Sequence, residues 1–152
     1  MKKHMIYNYI PDAYLFGLGF LAFALAWLWP ETIVIASDLW LAGVVCIIVA
    51  ALLTGATLHA LHRAKTSTNP LDEPSELLTT GPFNFSRNPL YLGYTIAVLG
   101  CALASGSWLA LLCPVVCFAV LNWLIIPIEE HTIHHVFGER YEWYCRRVRR
   151  WL

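Results

Sequence analysis

Hydrophobic residues are gathered into long runs, and short polar segments separate these runs along the chain. Apolar side chains dominate residues 13–29 and 39–61, and no ionised residue occurs between Leu90 and Ile128. A helix crosses the hydrocarbon core with about 20 residues, so this last run is too long for one crossing. Ser105-Gly106-Ser107 lies near its middle and predicts a turn. The pattern therefore predicts four transmembrane helices, at about 13–29, 39–61, 89–104 and 108–128, of which the last two form a hairpin.

Composition supports a membrane protein rather than a soluble domain. Of the 152 residues, 59% are hydrophobic and 13% are charged, whereas soluble domains average about 45–50% apolar and about 25% charged residues. The first apolar run is longer than the core of a signal peptide, and no small-x-small cleavage site follows it. We therefore expect an uncleaved first span and a single all-α integral membrane domain over residues 1–152.

The distribution of charge predicts the topology. With four spans, every lysine and arginine lies on one side of the membrane, and Glu31 and Asp38 are the charged residues on the other. The positive-inside rule then makes both termini and the segments 62–88 and 129–152 cytoplasmic. The formal net charge is zero, which gives no indication of nucleic-acid binding. The short chain and the lack of an organelle signal favour a prokaryotic inner membrane.

The last segment, 129–152, is predicted to form an amphipathic helix. Its apolar residues recur at intervals of three or four and so share one helical face. Gly138 lies within the segment and allows a bend. The residues of this face are Ile133, Phe137, Tyr141, Tyr144, Val148 and Trp151.

Polar residues cluster where the third span begins. Gly81-Pro82 predicts a turn, and Asn88-Pro89 predicts an N-cap followed by proline at the first helical position. Turn and helix-capping roles alone explain the presence of these four residues, without any ligand. They do not account for the clustering of Arg87, Asn88 and Tyr91 at a membrane helix N-terminus, which is a favourable place for a carboxylate or a phosphate.

Two adjacent carboxylates, Glu129 and Glu130, directly follow the last apolar run. They can mark the membrane interface and favour the N-terminus of the next helix. They can also hold a cationic group near membrane depth. The position alone leaves both interpretations open.

Histidines and cysteines suggest a metal, but their pattern is incomplete. His59 and His62 form an HxxH motif, and residues 131–135 form HxxHH. Such boxes occur in membrane di-iron oxidases, because imidazoles at these spacings share one helix face. Those enzymes need a third box, which is absent. The five cysteines have no CxxC spacing, so we predict neither a metal site nor a disulfide framework.

The ordered motifs of the second half resemble those of the isoprenylcysteine carboxyl methyltransferase and phospholipid methyltransferase superfamily. The shared pattern is a Gly-Pro-aromatic turn, Arg-His/Asn-Pro-x-Tyr-x-Gly, a hydrophobic hairpin, Glu-Glu and a final aromatic helix. It covers about residues 78–152 with matching spacing. In this chain it reads Gly81-Pro82-Phe83, Arg87-Asn88-Pro89-Leu90-Tyr91-Leu92-Gly93, Glu129-Glu130, and Phe137-Gly138 with Tyr141, Tyr144, Val148 and Trp151.

The resemblance implies that S-adenosylmethionine binds at the cytoplasmic face. It assigns catalytic roles to Arg87 and Glu130 and an acceptor contact to Arg147. Asn88 stands where many members have histidine, and asparagine forms hydrogen bonds but does not titrate. The implied cofactor contacts are Gly81, Pro82, Phe83, Asn88, Pro89, Tyr91, Glu130 and Tyr141.

The membrane setting favours a lipophilic methyl acceptor. An isoprenylcysteine carboxylate, a phospholipid amine and a thiol are all compatible with the resemblance. Three alternatives stay open: an NADPH-dependent sterol-type reductase with a similar Arg-x-Pro-x-Tyr-x-Gly stretch, a di-iron oxidase, and a non-catalytic membrane subunit. The sequence does not indicate an oligomeric state.

Overall fold

The computed structural model describes residues 10–32, 39–65 and 75–152, and its elements in these ranges are all helices. This confirms the all-α class for the described part of the chain. Short 3₁₀ turns at Pro30–Thr32, Gly81–Asn84 and Leu109–Leu111 accompany the helices, and a π-helical turn covers Leu121–Ile125. The helices are α1 (Ile10–Leu28), α2 (Leu39–Arg63), α3 (Pro89–Ser105), α4 (Leu112–Val120), α5 (Ile126–Phe137) and α6 (Glu139–Arg147).

Two helical runs, Leu39–Arg63 and Leu109–Phe137, are long and apolar enough to cross a membrane, and Gly17–Leu28 and Pro89–Ser105 are shorter apolar helices. Many large apolar side chains point outward, such as Trp27 (82% exposed) on α1 and Leu52 (70% exposed) on α2. In water each would forgo the stabilisation of burial, about 1.5–3 kcal/mol for a large apolar side chain. Three of the predicted spans coincide with helices to within a few residues, whereas the helical run of the fourth does not end at residue 128 but continues to Phe137. The number of crossings stays a prediction.

Helices α2 and α3 pack antiparallel through small residues. A Cβ atom at Gly43 would lie 2.7 Å from the carbonyl oxygen of Gly100 and from the backbone nitrogen of Ala104. Further along the same contact, a Cβ at Gly93 would collide with the Thr54 hydroxyl. Small residues allow this close approach of two backbones, which membrane helices use in place of hydrophobic burial. The contact fixes α3, and with it the Arg87–Tyr91 region at its start, against α2.

The turn predicted at 105–107 is present. Gly106 adopts a left-handed conformation (φ 73°) and ends α3. The buried Ser107 hydroxyl lies 2.7 Å from the Thr32 hydroxyl, and the Trp108 N–H donates to the Thr32 carbonyl. These contacts join the hairpin turn to the end of α1. The main core lies between α1, α3 and α4, and it includes Leu18, Ala22, Val98, Ala102, Cys113, Cys117 and Leu121.

The C-terminal segment differs from the single amphipathic helix predicted over 129–152. Gly138, with φ 49° and ψ −124°, separates α5 from α6. Helix α6 ends at Arg147, and Val148 is extended (φ −123°, ψ 131°). We call residues 148–152 the C-terminal strap. The strap leaves the helical path because its carbonyls accept hydrogen bonds from residues 86–88.

Candidate functional site

A small cavity lies where α2 ends and α3 begins. Its volume is about 50 Å³, which is room for a few water molecules. Five residues of the predicted catalytic and cofactor sets line it, together with two leucines and Glu129. The lining residues are Leu61, Phe83, Arg87, Asn88, Pro89, Leu90, Tyr91 and Glu129.

The local sequence builds this wall through one turn and one helix start. Gly81 has φ 62°, a conformation that glycine adopts readily, and it opens the 3₁₀ turn that carries Phe83. Asn88 occupies the N-cap position of α3, but its side chain does not cap the helix. The Asn88 amide nitrogen donates instead to the carbonyl oxygen of Arg150, at 3.1 Å. The N-cap position was predicted correctly, while the side chain of Asn88 turns toward the strap.

Arg87 is held by several groups in the interior of the site. Its guanidinium pairs with Glu130 at 3.1 Å and contacts the sulfur of Cys145. It also lies over the ring of Tyr141, at 5.9 Å from the centroid. Glu130 pairs with Arg150 as well, at 2.5 Å. The two predicted catalytic residues, Arg87 and Glu130, are therefore in direct contact with each other.

Glu129 is the carboxylate that faces the cavity. Its Oε2 atom is buried and has no hydrogen-bond partner in the part of the chain that the structure describes. The Tyr91 hydroxyl is a hydrogen-bond partner of the same carboxylate. Sequence reasoning chose Glu130 as the cofactor contact and left Glu129 out. Adjacent helical residues point about 100° apart, so the motif alone could not decide which carboxylate faces the cavity.

Two buried tyrosines of α6, Tyr141 and Tyr144, contact residues of the site. The Tyr144 hydroxyl donates to the carbonyl oxygen of Phe83 at 2.5 Å. Burial raises the pKa of Tyr144 above the ordinary value, and burial and the Glu130 carboxylate together raise the pKa of Tyr141, against the effect of Arg87. Both phenols therefore stay protonated at neutral pH, and Tyr144 is available as a donor. Its bond fixes the turn that carries Phe83.

We expect Tyr144→Phe to destabilise the protein by about 1 kcal/mol, because the buried Phe83 carbonyl loses its donor. Thermal unfolding in detergent, followed by circular dichroism, measures this. Tyr14→Phe is the matched control, since the Tyr14 hydroxyl makes an exposed 3.4 Å contact to the Val116 carbonyl. Equal melting temperatures for the two variants would contradict the prediction.

Arg147 lies outside the cavity, in a second cleft of about 260 Å³. Its guanidinium stacks on the Trp143 ring at 5.6 Å. Arg140 lines the same cleft, and both arginines are exposed without an ion pair among the described residues. Tyr144 lines this cleft too, as does Asn84 of the turn that carries Phe83. The complete lining is Thr79, Asn84, Arg140, Trp143, Tyr144, Arg147 and Val148.

The structure thus brings most predicted site residues together. Phe83, Arg87, Asn88, Pro89 and Tyr91 line one cavity, and Gly81 and Pro82 form the turn beside it. Glu130 and Tyr141 surround Arg87, and Arg147 is apart from them. The roles of all these residues stay predictions. Sequence reasoning named Glu129 only as one of an acidic pair and missed Asn122 and Arg150, of which Asn122 had one signal, a polar side chain inside an apolar run.

The histidine motifs do not come together as a metal site. Within the described ranges, no three histidine, cysteine or acidic side chains lie close enough to hold a metal ion. His134 instead lies 3.1 Å from Glu142 on the next helix.

Comparison with known proteins identifies the family. The family model described as phospholipid methyltransferase matches residues 39–140, more than half of the chain. The chain is also 33% identical over 84 residues to Protein-S-isoprenylcysteine O-methyltransferase B of Arabidopsis thaliana, an alignment that covers 51% of this chain and 39% of that protein. No solved structure matches it. The superfamily predicted from the motifs is confirmed, and the chain belongs to the phospholipid methyltransferase family.

Proposed function

We propose that this chain is a membrane methyltransferase that uses S-adenosylmethionine and methylates a lipophilic acceptor at the membrane interface. The observation that carries the proposal is the buried Glu129 carboxylate oxygen, which lacks a partner in the described part of the chain and lies in the cavity formed by the motif residues. A buried carboxylate oxygen without a hydrogen-bond partner is costly unless a ligand compensates it.

The cavity residues fit the donor chemically. S-adenosylmethionine carries a sulfonium and an ammonium cation, and a carboxylate and aromatic faces are suitable partners for cations. Glu129 supplies the carboxylate, and Phe83 and Tyr91 supply the aromatic faces. The cavity of about 50 Å³ is small beside ligand pockets of about 300–1,000 Å³. Binding must therefore widen it.

Methyl transfer needs little from the protein beyond position. When bound, S-adenosylmethionine would supply a methyl group whose bond to sulfur breaks with the electron pair left on sulfur, while a lone pair of the acceptor forms the new bond. A carboxylate acceptor has no proton to lose, whereas an amine or thiol has to be deprotonated. Residues of the chain hold the two partners in line and exclude water. Arg87, fixed by Glu130, can orient an anionic acceptor near the donor.

The second cleft is the proposed place for an anionic part of the acceptor. Arg147 and Arg140 line it on one face of α6, and neither has an ion-pair partner among the described residues. The exposed apolar sides of α1 and α2 suit a neighbouring lipid phase. Isoprenylcysteine carboxylate, phospholipid amine and thiol acceptors are all consistent with this arrangement.

The proposed topology is multi-pass, with four crossings and both termini in the cytoplasm of a prokaryotic cell. Arg63 ends α2, and Arg87 precedes α3 at the same end of the bundle. Thr32 and Ser107 meet at the opposite end. Basic residues at the first end and the acidic Glu31 beside Thr32 at the other support the positive-inside assignment.

Calorimetric titration of detergent-purified protein with S-adenosylmethionine and S-adenosylhomocysteine tests the proposal. We expect saturable binding of both, and about fivefold weaker binding of the donor to Tyr91→Phe, which removes the hydroxyl that contacts Glu129. Tyr94→Phe is the matched control, since Tyr94 is buried on the same helix without lining the cavity.

Absence of binding to folded wild-type protein would refute the proposal. Titration with NADPH and measurement of bound iron then discriminate the reductase and the di-iron oxidase from a non-catalytic subunit.

A further inference from the structure

The C-terminal strap passes directly over the residues that form the cavity. The Arg87 N–H donates to the Arg149 carbonyl at 3.0 Å. The Arg150 carbonyl accepts from the Ser86 hydroxyl at 3.2 Å and from the Asn88 amide at 3.1 Å. Three consecutive residues before α3 are therefore bound to two consecutive residues of the strap.

One of these bonds determines how Asn88 presents its side chain. A carbonyl oxygen only accepts hydrogen bonds, so the Asn88 atom that faces the Arg150 carbonyl must be the amide nitrogen. The Asn88 amide oxygen is then left to accept from another group. Asn88 lines the cavity, so the strap holds a cavity residue directly.

The side chain of Arg150 makes a second set of contacts, separate from those of its backbone carbonyl. Its guanidinium binds both carboxylate oxygens of Glu130, at 2.5 and 3.3 Å. It also approaches the backbone and side-chain oxygens of Asn122, both at 3.5 Å. Glu130 in turn binds Arg87. Arg150 thus connects the π-helical turn to Arg87 through one carboxylate.

The strap has its own anchor beside Arg150. The Trp151 indole N–H donates to the Asn122 side-chain oxygen at 3.0 Å, and its ring packs on Phe118 with 4.8 Å between centroids. Asn122 lies inside a strongly apolar run, and π-helical turns are frequent at functional sites. The proposed chemistry gives Asn122 no role, whereas anchoring the strap does.

We propose that Arg150 is a positioning residue of the donor site, which holds Glu130 and Arg87 in the arrangement that binds S-adenosylmethionine. Arg150 acts through Glu130 and needs no contact with the donor. The inference rests on the proposed function, since it assigns Arg150 a part in donor binding at that same site. A guanidinium that binds both oxygens of a mostly buried carboxylate fixes the orientation of that carboxylate.

The test compares Arg150→Gln and Arg150→Lys with Arg149→Gln, a neighbouring arginine that is exposed and has no ion pair in the described ranges. Calorimetry with S-adenosylhomocysteine should show about tenfold weaker binding for Arg150→Gln. Arg150→Lys keeps the charge but loses the two-pronged guanidinium that binds both carboxylate oxygens. We therefore expect its affinity for S-adenosylhomocysteine to fall about threefold. Arg149→Gln should bind as wild type does.

Two further readouts separate positioning from a structural role. Once an acceptor is available, the KM for the donor should rise in Arg150→Gln while kcat at saturating donor stays within about twofold. Adding Arg150→Gln to Glu130→Gln should cause no further loss of binding, because the two residues act as one unit. A purely structural role would lower the melting temperature and kcat together. If Arg150→Gln does not fold, Arg150→Lys and its double variant with Glu130→Gln carry the test.

The outcomes are distinguishable. Wild-type binding with equal affinities for Arg150→Gln and Arg149→Gln would overturn this inference alone. Tighter binding to Arg150→Gln would also overturn it, since Arg150 would then compete with the donor for Glu130. Failure of the wild type to bind would refute the proposed function and the inference with it.

Discussion

The substitution Glu129→Gln is expected to weaken the binding of S-adenosylmethionine about a hundredfold, because a buried charge-assisted contact to a cation is lost. Glutamine keeps the volume of the side chain, so the cavity and the packing around Tyr91 are preserved. Glu129 is the right residue to change because Glu130 is already engaged by Arg87 and Arg150. The loss of affinity for the donor is therefore expected to be larger for Glu129→Gln than for Glu130→Gln.

Titration calorimetry with the donor measures this loss, and circular dichroism verifies the helical content. Glu139→Gln is the matched control, since Glu139 is exposed in the first turn of α6 and makes no ion pair among the described residues. Unchanged affinity of Glu129→Gln would show that the Glu129 carboxylate does not contact the donor. The Glu129 assignment would then be abandoned.

The substitution Gly43→Ala is expected to destabilise the helix bundle by about 3 kcal/mol, through overpacking of the contact between α2 and α3. The added Cβ would lie 2.7 Å from two backbone atoms of α3, and backbone cannot yield as the end of a flexible side chain can. The two helices must separate, which also removes contacts of neighbouring residues. Because α3 begins at the cavity, loss of donor binding should accompany the loss of stability.

Gly55→Ala is the control for this change. It is the same substitution in the same helix, but a Cβ there meets nothing within 4 Å. Alanine favours helix more than glycine does, so this variant should be as stable as wild type or slightly more stable. Unfolding in detergent, monitored by circular dichroism, compares the two. Similar stabilities would mean that the close approach at Gly43 is not required.

The helices were predictable from the sequence because their signals are local. The apolar runs gave α2 and α3 nearly to the residue, and Ser105-Gly106-Ser107 gave the turn, since glycine readily adopts the left-handed conformation that ends α3. The motif residues of the cavity were also predictable, because their spacing is shared by a family. Each of these signals lies within a few consecutive residues or within one motif.

The rest of the site depends on contacts between distant parts of the chain. Apolar periodicity continued through Val148 and Trp151 and so predicted a helix, whereas the hydrogen bonds to residues 86–88 draw the strap out of it. The choice between Glu129 and Glu130 depends on the rotation of α5. The resemblance assigned Arg147 to the acceptor, and only the packing of α6 shows that it lines a cleft apart from the cavity.

The π-helical turn at Leu121–Ile125 makes the orientation of the acidic pair a matter of residue count. Each residue of an α-helix advances the chain by about 100°, and a π turn accommodates one extra residue per turn. Removing a single residue from this stretch would restore regular α-helix and leave the acidic pair facing nearly the same direction. Removing a residue from the regular helix Leu112–Val120 would instead rotate everything after it by about 100° and turn Glu129 away from the cavity. The second arm of the hairpin therefore tolerates a one-residue deletion within the π turn more readily than one in the helix before it.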